Sequence, residues 1–329
     1  MSLLSPSSLD PRFQEPPGWQ WGSFERAAGR RLRYGWIAAG NPRGVIVHLP
    51  GLSEPAEKNF ETFSELHAQG YTVLTLDWFG QGGSGRYLAN VHKRHAADFA
   101  EDVADLEYIL HQIPACAGMT LPQWNDARKI LLAHSMGAHI GLRYLARHPD
   151  VFSCAAMTAP MIGIGALGFL PQKVALALTG LCAALWPEAY VPGGGDWFPW
   201  KKQPDEGRAH LSSDPARNGL QNIWFAARPE IRIGGITFGW LDAAMRSCAV
   251  LRAELPRIRT PILIALAGRE VLVDNRAIER AARILPYARL IRLPQALHEI
   301  LMERETLRRA FLDAFYAFVR EQAGGGKYP

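Results

Sequence analysis

Short runs of apolar and β-branched residues alternate along the chain with longer segments whose apolar residues recur every three or four positions. This alternation is typical of a mostly parallel sheet with connecting helices on both faces. Several of the short runs are apolar throughout, as expected for strands that are buried on both faces. We predict strands at 32–37, 45–49, 72–77, 129–133, 154–158, 261–267 and 289–293.

The longer segments have the spacing of amphipathic helices. In one of them, Phe99, Val103, Leu106 and Leu110 follow one another at steps of four, three and four residues, which places them on one helix face. We predict helices at 57–69, 98–112, 136–147, 275–285 and 304–320.

Two segments interrupt the alternation. Residues 113–126 contain proline and glycine and are predicted to form a surface loop. Residues 161–250 contain several prolines and half of the ten tryptophans. These tryptophans are Trp186, Trp197, Trp200, Trp224 and Trp240. Because such large apolar side chains need a surface to pack against, we predict a cap at 161–250, inserted between two parts of one core, 1–160 and 251–329.

Composition excludes several classes of protein. With 329 residues, 48% hydrophobic and 20% charged, the chain matches an ordinary globular protein with a sizeable core. The net charge of +5 is scattered, with no run of five or six like charges, so nucleic-acid binding is not indicated, whereas weak attraction to anionic lipid headgroups is allowed. The four cysteines form no C-x-x-C pair, which indicates neither a metal site nor a disulfide framework.

Nothing in the sequence indicates secretion or membrane insertion. The first ten residues lack the basic and apolar regions of a signal peptide, so we expect a cytoplasmic protein. The longest apolar stretch, 174–186, has thirteen residues, whereas a spanning helix needs about 20. It is expected to be either a buried helix or an amphipathic element on a membrane surface.

The strongest chemical signal is Ser135, within Ala133-His134-Ser135-Met136-Gly137. An apolar strand runs directly into this serine and a helical segment follows it, which is where a nucleophile elbow places its serine. Small residues are needed on either side because the backbone doubles back tightly. Gly137 meets this need, and Ala133 replaces the usual first glycine.

A serine hydroxyl needs a base to take its proton, and histidine is the natural base at neutral pH. His298 follows the last predicted strand across a short loop, where an α/β sheet gathers its site. His134 and His139 are rivals. His134 directly precedes Ser135 and is expected to point elsewhere, whereas His139 lies one turn into the following helix.

The residue that orients this base should be a carboxylate after a strand between Ser135 and His298. Glu270 lies two residues past Gly268, which ends such a strand, and Asp274 lies just before the next predicted helix. We prefer Glu270, because Asp274 would serve equally well as a helix cap, but both remain candidates.

The oxyanion formed during acyl transfer needs backbone N–H donors. The elbow supplies the N–H of Met136, at the start of a helix. A second donor should come from the loop after an early strand, where Gly51 lets the chain turn and Leu52 offers its N–H.

With these residues, the chain resembles the α/β-hydrolase family of bacterial lysophospholipases and monoacylglycerol lipases, over roughly 33–160 and from 261 to the last helix. Three further stretches are similar to that family: 57–60, the Asp-Trp-x-Gly-Gln-Gly-x-Ser segment within 77–86, and 298–303. In the family the second of these forms a glycine-rich turn that braces the site.

The resemblance implies Ser135 as nucleophile, His298 as base, Glu270 as acid, and the N–H groups of Leu52 and Met136 as the oxyanion hole. It implies no metal or organic cofactor, and it leaves the oligomeric state open. Three positions depart from the family pattern: Pro50 where histidine is frequent, Ala133 for glycine, and Glu270 where aspartate is commoner. None of them removes a reacting group. The family's cap would make 174–186 a mobile apolar lid, the alternative being a permanently closed cap.

Three functions therefore compete. The first is a serine hydrolase that acts, through an acyl-enzyme, on esters with one acyl chain, such as lysophospholipids or monoacylglycerols. The second is a short-chain carboxylesterase or serine peptidase of the same fold. The third is a binding protein without activity, suggested by Ala133 and Pro50. Dehalogenases and epoxide hydrolases with an aspartate nucleophile are disfavoured because the elbow residue is Ser135.

Overall fold

A computed structural model describes residues 6–116, 121–198 and 211–324, which leaves Trp200 outside the described residues. The described residues form eight strands and ten α-helices. The strands are β1 (Gln20–Glu25), β2 (Arg31–Ile37), β3 (Val45–Leu49), β4 (Thr72–Leu76), β5 (Lys129–His134), β6 (Cys154–Thr158), β7 (Ile262–Ala267) and β8 (Ala288–Leu293). The helices are α1 (Phe60–Ala68), α2 (Ala100–Cys116), α3 (Leu121–Asp126), α4 (Ser135–Leu145), α5 (Gln172–Leu185), α6 (Pro215–Asn218), α7 (Leu220–Ala227), α8 (Phe238–Glu254), α9 (Asn275–Ile284) and α10 (Glu305–Gly324).

The strands form one sheet in the order β1-β2-β4-β3-β5-β6-β7-β8. Strand β2 runs antiparallel to β1 and β4, and all other neighbours are parallel. This is the predicted fold, a mostly parallel sheet with helices on both faces. Each predicted strand is present within one residue of its predicted bounds.

The central strands are buried on both faces because successive side chains point to opposite sides of a strand. In β3, Val45, Val47 and Leu49 join the hydrophobic cluster that contains α2 and α4, whereas Ile46 joins the cluster that contains α1 and α10. Only a continuously apolar strand can serve two cores, which is why these runs were recognisable in the sequence.

Strand β1 was not predicted. It lies at the edge of the sheet, and each of its residues is exposed or half-buried. A strand with one partner and little burial needs no apolar run, so its sequence, Gln-Trp-Gly-Ser-Phe-Glu, carries little of the usual signal.

The predicted loop at 113–126 is wrong at 113–116 and 121–126, and residues 117–120 lie outside the described residues. Helix α2 continues to Cys116, and residues Leu121–Asp126 form α3. Proline is tolerated in the first turn of a helix, so its presence at position 122 does not prevent α3. The burial of Trp124, which is 6% exposed, ties this helix to the core.

The inserted segment (161–250) contributes helices to both sides of the molecule. Helix α5 packs on α8, and α8 packs on α4. On the other side, the Trp224 ring of α7 contacts the Phe60 ring of α1, with centroids 5.5 Å apart. The division into cap and core stays a prediction. Among the described residues, no helix is long and apolar enough to cross a membrane.

The carboxyl ends of the parallel strands meet at one edge, which we call the catalytic edge. Ser135 follows β5 directly, Glu270 follows β7 after two residues, and His298 follows β8 after four. The loop after β3, residues 50–54, reaches the same edge. Residues that are up to 248 positions apart in the chain therefore converge there.

Candidate active site

Ser135 occupies a strained turn between β5 and α4. Its φ is +49°, in the left-handed region that a residue with a side chain rarely adopts. A Cβ atom on Gly137 would collide with the carbonyl oxygens of Leu49 and Pro50, so this position requires glycine. Ala133 lies within the hydrophobic core at 1% exposure, which explains why alanine is accepted there. The backbone thus presents the hydroxyl at the catalytic edge, as in a nucleophile elbow.

His298 lies between the serine and a carboxylate. Its Nε2 is 3.0 Å from Ser135 Oγ, and its Nδ1 is 2.7 Å from Glu270 Oε2. The side chains of His298 and Glu270 are 6% and 0% exposed. Asp274 makes different contacts, because its Oδ1 accepts a hydrogen bond from the N–H of Arg276 and caps α9.

The second oxygen of Glu270 is held by the backbone. Oε1 accepts hydrogen bonds from the N–H groups of Val271 at 2.9 Å, Leu272 at 2.7 Å and Val273 at 3.3 Å. Burial by itself raises the pKa of the Glu270 carboxyl, but the hydrogen bond and charge of His298, together with these N–H groups, outweigh it and hold the pKa below its ordinary value. The carboxylate is therefore ionised at neutral pH and fixed toward Nδ1.

The two candidate oxyanion donors come from two different elements. Met136 is in the first turn of α4, and Leu52 is in the loop 50–54. Within the described part of the chain, the N–H of Leu52 makes no hydrogen bond to the protein. The next residue, Ser53, has a φ of +59°, so this loop is also strained.

The rival histidines make other contacts. His134 does not point away from the site: its ring centroid lies 4.7 Å from that of His298, and its Nδ1 is 3.0 Å from Thr158 Oγ1. Burial lowers the pKa of His134 to about 4, so it is neutral at pH 7. His139 bridges α4 and α8, with its Nε2 2.6 Å from Ser247 Oγ. Burial lowers its pKa to about 3.

A cavity of about 350 Å³ opens beside the serine. Its lining has an apolar part and a polar part. The apolar part includes Met161, Ile164, Ile236, Trp240, Leu241 and Leu272. The polar part includes Ser53, Glu54, Gln221 and Glu299, next to Ser135 and His298.

A buried ion network includes two residues of the polar part, Glu54 and Glu299, and the sequence did not reveal it. Lys58 Nζ lies 3.0 Å from Glu54 Oε1 and 2.5 Å from Glu299 Oε1, and the N–H of Gly51 donates to Glu54 Oε2 at 2.6 Å. Burial raises the pKa of Glu54, but the charge of Lys58 outweighs it and keeps the pKa well below the ordinary range. Glu54 and Lys58 are four residues apart, which is a local signal, whereas Glu299 is 241 residues away from Lys58.

The described residues contain no group of three or more His, Cys, Asp or Glu side chains that could hold a metal ion. Cys154, Cys182 and Cys248 are free thiols.

Comparison with known proteins places the chain among hydrolases. A family model described as serine aminopeptidase, S33, matches residues 40–305. Probable lysophospholipase L2 of Haemophilus influenzae is 30% identical over 281 residues, which cover 85% of each chain. Lysophospholipase L2 of Escherichia coli K12 is 30% identical over 286 residues, 83% of this chain and 79% of that protein.

Among solved structures, a soluble variant of monoglyceride lipase from Saccharomyces cerevisiae aligns with a TM-score of 0.68 and 19% identity, covering 92% of this chain and 96% of that chain. A carboxyl esterase from Bacillus coagulans aligns with a TM-score of 0.71 and 14% identity, covering 92% and 98%. At these identities the structural matches establish a shared fold.

Proposed function

The chain belongs to the α/β-hydrolase family described as serine aminopeptidase, S33, and from that premise we propose that it is a carboxylic ester hydrolase of lipids with a single acyl chain, either lysophospholipids or monoacylglycerols. One observation carries the proposal: the hydrogen-bonded series Ser135, His298 and Glu270 borders a cavity that is lined by both apolar and polar side chains. The lysophospholipase names of the relatives support the lipid substrate.

In the proposed reaction, Ser135 Oγ attacks the acyl carbonyl carbon while His298 Nε2 takes its proton. Glu270 holds the resulting imidazolium through Nδ1. The N–H groups of Leu52 and Met136 donate to the oxyanion of the tetrahedral intermediate. His298 then protonates the departing alcohol, which leaves an acyl-enzyme. A water molecule that gives its proton to His298 attacks this ester and releases the fatty acid.

The cavity walls fit the two halves of such a substrate. An acyl chain gains free energy when it is covered by apolar side chains such as Ile236 and Trp240. The alcohol half carries hydroxyl or charged groups, which need polar partners such as Glu54, Gln221 and Glu299 when they leave water.

We also propose that α5 contacts lipid surfaces and serves as the lid. Its side chains at steps of four, three and four residues are exposed: Val174 (51%), Leu178 (48%), Leu181 (59%) and Leu185 (56%). The opposite face is anchored, because Thr179 is buried and lies 3.2 Å from Asp242 of α8. An amphipathic helix whose apolar side faces outward is suited to lie in the interface of a membrane or micelle.

The test is turnover of lysophosphatidylcholine, monoacylglycerol and short esters by the wild type and by Ser135→Ala, Glu270→Gln and His298→Ala. Labelling with a fluorophosphonate should modify Ser135 in the wild type. A folded protein that is not labelled and turns over no ester would contradict the proposal and favour a binding protein.

Two alternatives of the same fold are separable in the same assay. A series of p-nitrophenyl esters that peaks at two carbons, with no turnover beyond eight, would favour a short-chain carboxylesterase. Cleavage of aminoacyl amides in preference to all esters would favour a peptidase, the activity in the family description.

A further inference from the structure

The loop that carries Leu52, residues 50–54, is held from behind by the turn that follows β4. We call this turn the bracing turn (77–86). Trp78 Nε1 donates to the carbonyl of Pro50 at 2.8 Å, and Asp77 Oδ1 accepts from the N–H of Ala56 at 3.2 Å. Both side chains are at most 1% exposed. The two contacts fix the loop near its ends.

The middle of the loop is held by one amide. Gln81 Nε2 donates to the carbonyl of Gly51 at 2.9 Å and to that of Glu54 at 3.3 Å, and Gln81 Oε1 accepts from the N–H of Ser53 at 3.0 Å. These three backbone groups flank Leu52 on both sides. Gln81 thus satisfies its neighbours and leaves the N–H of Leu52 available to the site.

This loop conformation needs such support. Ser53 has a φ of +59°, in the left-handed region, where a residue with a side chain is strained. The bonds to Gln81 offset that strain. Glycine next to the glutamine is required as well: Gly82 has a φ of +54°, and a Cβ atom there would collide with the carboxylate of Asp77. The Gly-Gln-Gly sequence therefore lets a buried amide face the loop.

The orientation of the amide is fixed by a second donor. Arg94 Nε lies 3.2 Å from Gln81 Oε1, so this oxygen accepts from both Ser53 and Arg94. Arg94 is fully buried, and its backbone pairs with the inserted segment through the carbonyl of Gly235 and the N–H of Thr237, both at 3.0 Å. With two donors on its oxygen, the amide must direct its nitrogen at Gly51 and Glu54.

We propose that Gln81 is a positioning residue of the oxyanion hole, which holds the Leu52 N–H in the place where the oxyanion forms, with Arg94 orienting its amide. Gln81 acts through Leu52 and has no contact with substrate. The inference rests on the proposed function, because it concerns the acyl-transfer transition state. It extends the role of the bracing turn from general support to one side chain with a defined effect on catalysis.

The main test is Gln81→Glu, which keeps the shape and the acceptor oxygen but replaces the donor to Gly51 and Glu54 with a second acceptor. We expect kcat on a soluble short ester to fall about 100-fold with little change in KM, because a displaced donor costs transition-state stabilisation and leaves ground-state binding intact. The affinity of a trifluoromethyl ketone, which forms a tetrahedral adduct with serine, should fall by a similar factor. Binding of a non-reactive ether analogue of the substrate should not change.

Gln81→Asn is the second variant, since it keeps the amide but withdraws it by one methylene group. Gln14→Glu is the matched control, because the side-chain amide of Gln14 donates to the carbonyl of Leu9 and Gln14 does not line the described cavity, and it should keep wild-type kinetics. Circular dichroism and thermal unfolding identify the folded variants.

The proposal is overturned if a folded Gln81 variant keeps kcat within threefold of wild type, or if its loss appears in KM and in ether-analogue binding instead. If Gln81→Glu does not fold, the same criteria apply to Gln81→Asn. Failure of the proposed function is distinguishable, because the wild type itself would then show no Ser135-dependent ester turnover.

Discussion

The catalytic edge and the outer face of α5 use their side chains in opposite ways. At the edge, polar side chains are buried and paired: those of His298 and Glu270 are 6% and 0% exposed and hydrogen-bonded to one another. On α5, apolar groups face solvent: Leu178 and Leu181 are 48% and 59% exposed. The edge therefore keeps polar side chains away from water, whereas the outer face of α5 exposes apolar side chains to water.

Each arrangement costs free energy of folding. A function would explain why the protein keeps it. Burying charged groups costs desolvation energy, and the strained φ of Ser135 adds to that cost. Exposing a row of leucines gives up the free energy of burying them. From the proposed function we therefore expect substitutions at the edge to affect chemistry on every substrate, and substitutions on α5 to affect activity only where a lipid surface is present.

The largest effect is expected from Ser135→Ala. Removing the hydroxyl removes the proposed nucleophile, so kcat on lipid and on short esters should fall roughly 10⁵-fold or more. The thermal unfolding temperature should change little, because alanine keeps the Cβ atom and only the hydroxyl and its hydrogen bond to His298 are lost. If the purified variant kept wild-type turnover, Ser135 would not be the nucleophile and the edge would not be the site of the chemistry.

Glu270→Gln should come next. The amide keeps the shape of the carboxylate but cannot stabilise an imidazolium, so kcat should fall about 10³- to 10⁴-fold on all esters. Glu321→Gln is the matched control, because Glu321 lies in a surface pair with Arg289 and should change kcat little. If Asp274→Asn lost more activity than Glu270→Gln, Asp274 would be the acid.

On α5, the double variant Leu178→Gln and Leu181→Gln should affect only interfacial activity. Turnover of lipid in micelles or vesicles is expected to fall about 10-fold, since less apolar surface is available to insert, while turnover of a soluble short ester stays at the wild-type level. Ile284→Gln on α9 is the control, since Ile284 is also exposed, at 46%. Equal losses on soluble and aggregated substrates would favour a permanently closed cap.

The smallest effect concerns pH and stability. Burial lowers the pKa of His139 to about 3, against 6.5 in an unfolded chain. Between pH 6.5 and 3 the unfolded state binds the extra proton, so stability is lost as the pH falls through this window. His139→Gln should reduce the loss of unfolding free energy between pH 7 and pH 5 by about 1 to 2 kcal/mol.

Urea unfolding at both pH values measures this effect. The readout is the change in unfolding free energy from pH 7 to pH 5, because the substitution also changes stability at pH 7. His48 and His134, each with a pKa lowered by burial to about 4, should maintain a remaining loss at low pH. Asp102 opposes them, because burial raises its pKa to about 7. If the variant lost as much unfolding free energy between pH 7 and pH 5 as the wild type, His139 would not be the group that binds a proton on unfolding.

Much of the fold was predictable because the central strands carry their own signal. A strand buried on both faces is largely apolar along its length, and several of the seven predicted strands were recognised on that basis. Strand β1 was missed because an edge strand has no such requirement. Helix α3 was missed because proline and glycine near it suggested a loop, whereas the burial of Trp124, a tertiary contact, accompanies the helix.

The turn at Ser135 was also predictable from local steric requirements. Helix and strand approach each other closely there, and only glycine fits at position 137. The sequence by itself therefore determined the strands, the turn at Ser135 and a short set of partners for it. Tertiary structure decided between Glu270 and Asp274 as the carboxylate that contacts His298, joined Lys58 to Glu299, and brought the amide of Gln81 behind Leu52. The physical reason is that periodicity and steric demand act over a few residues, whereas a contact between distant residues depends on how the whole sheet orders its strands.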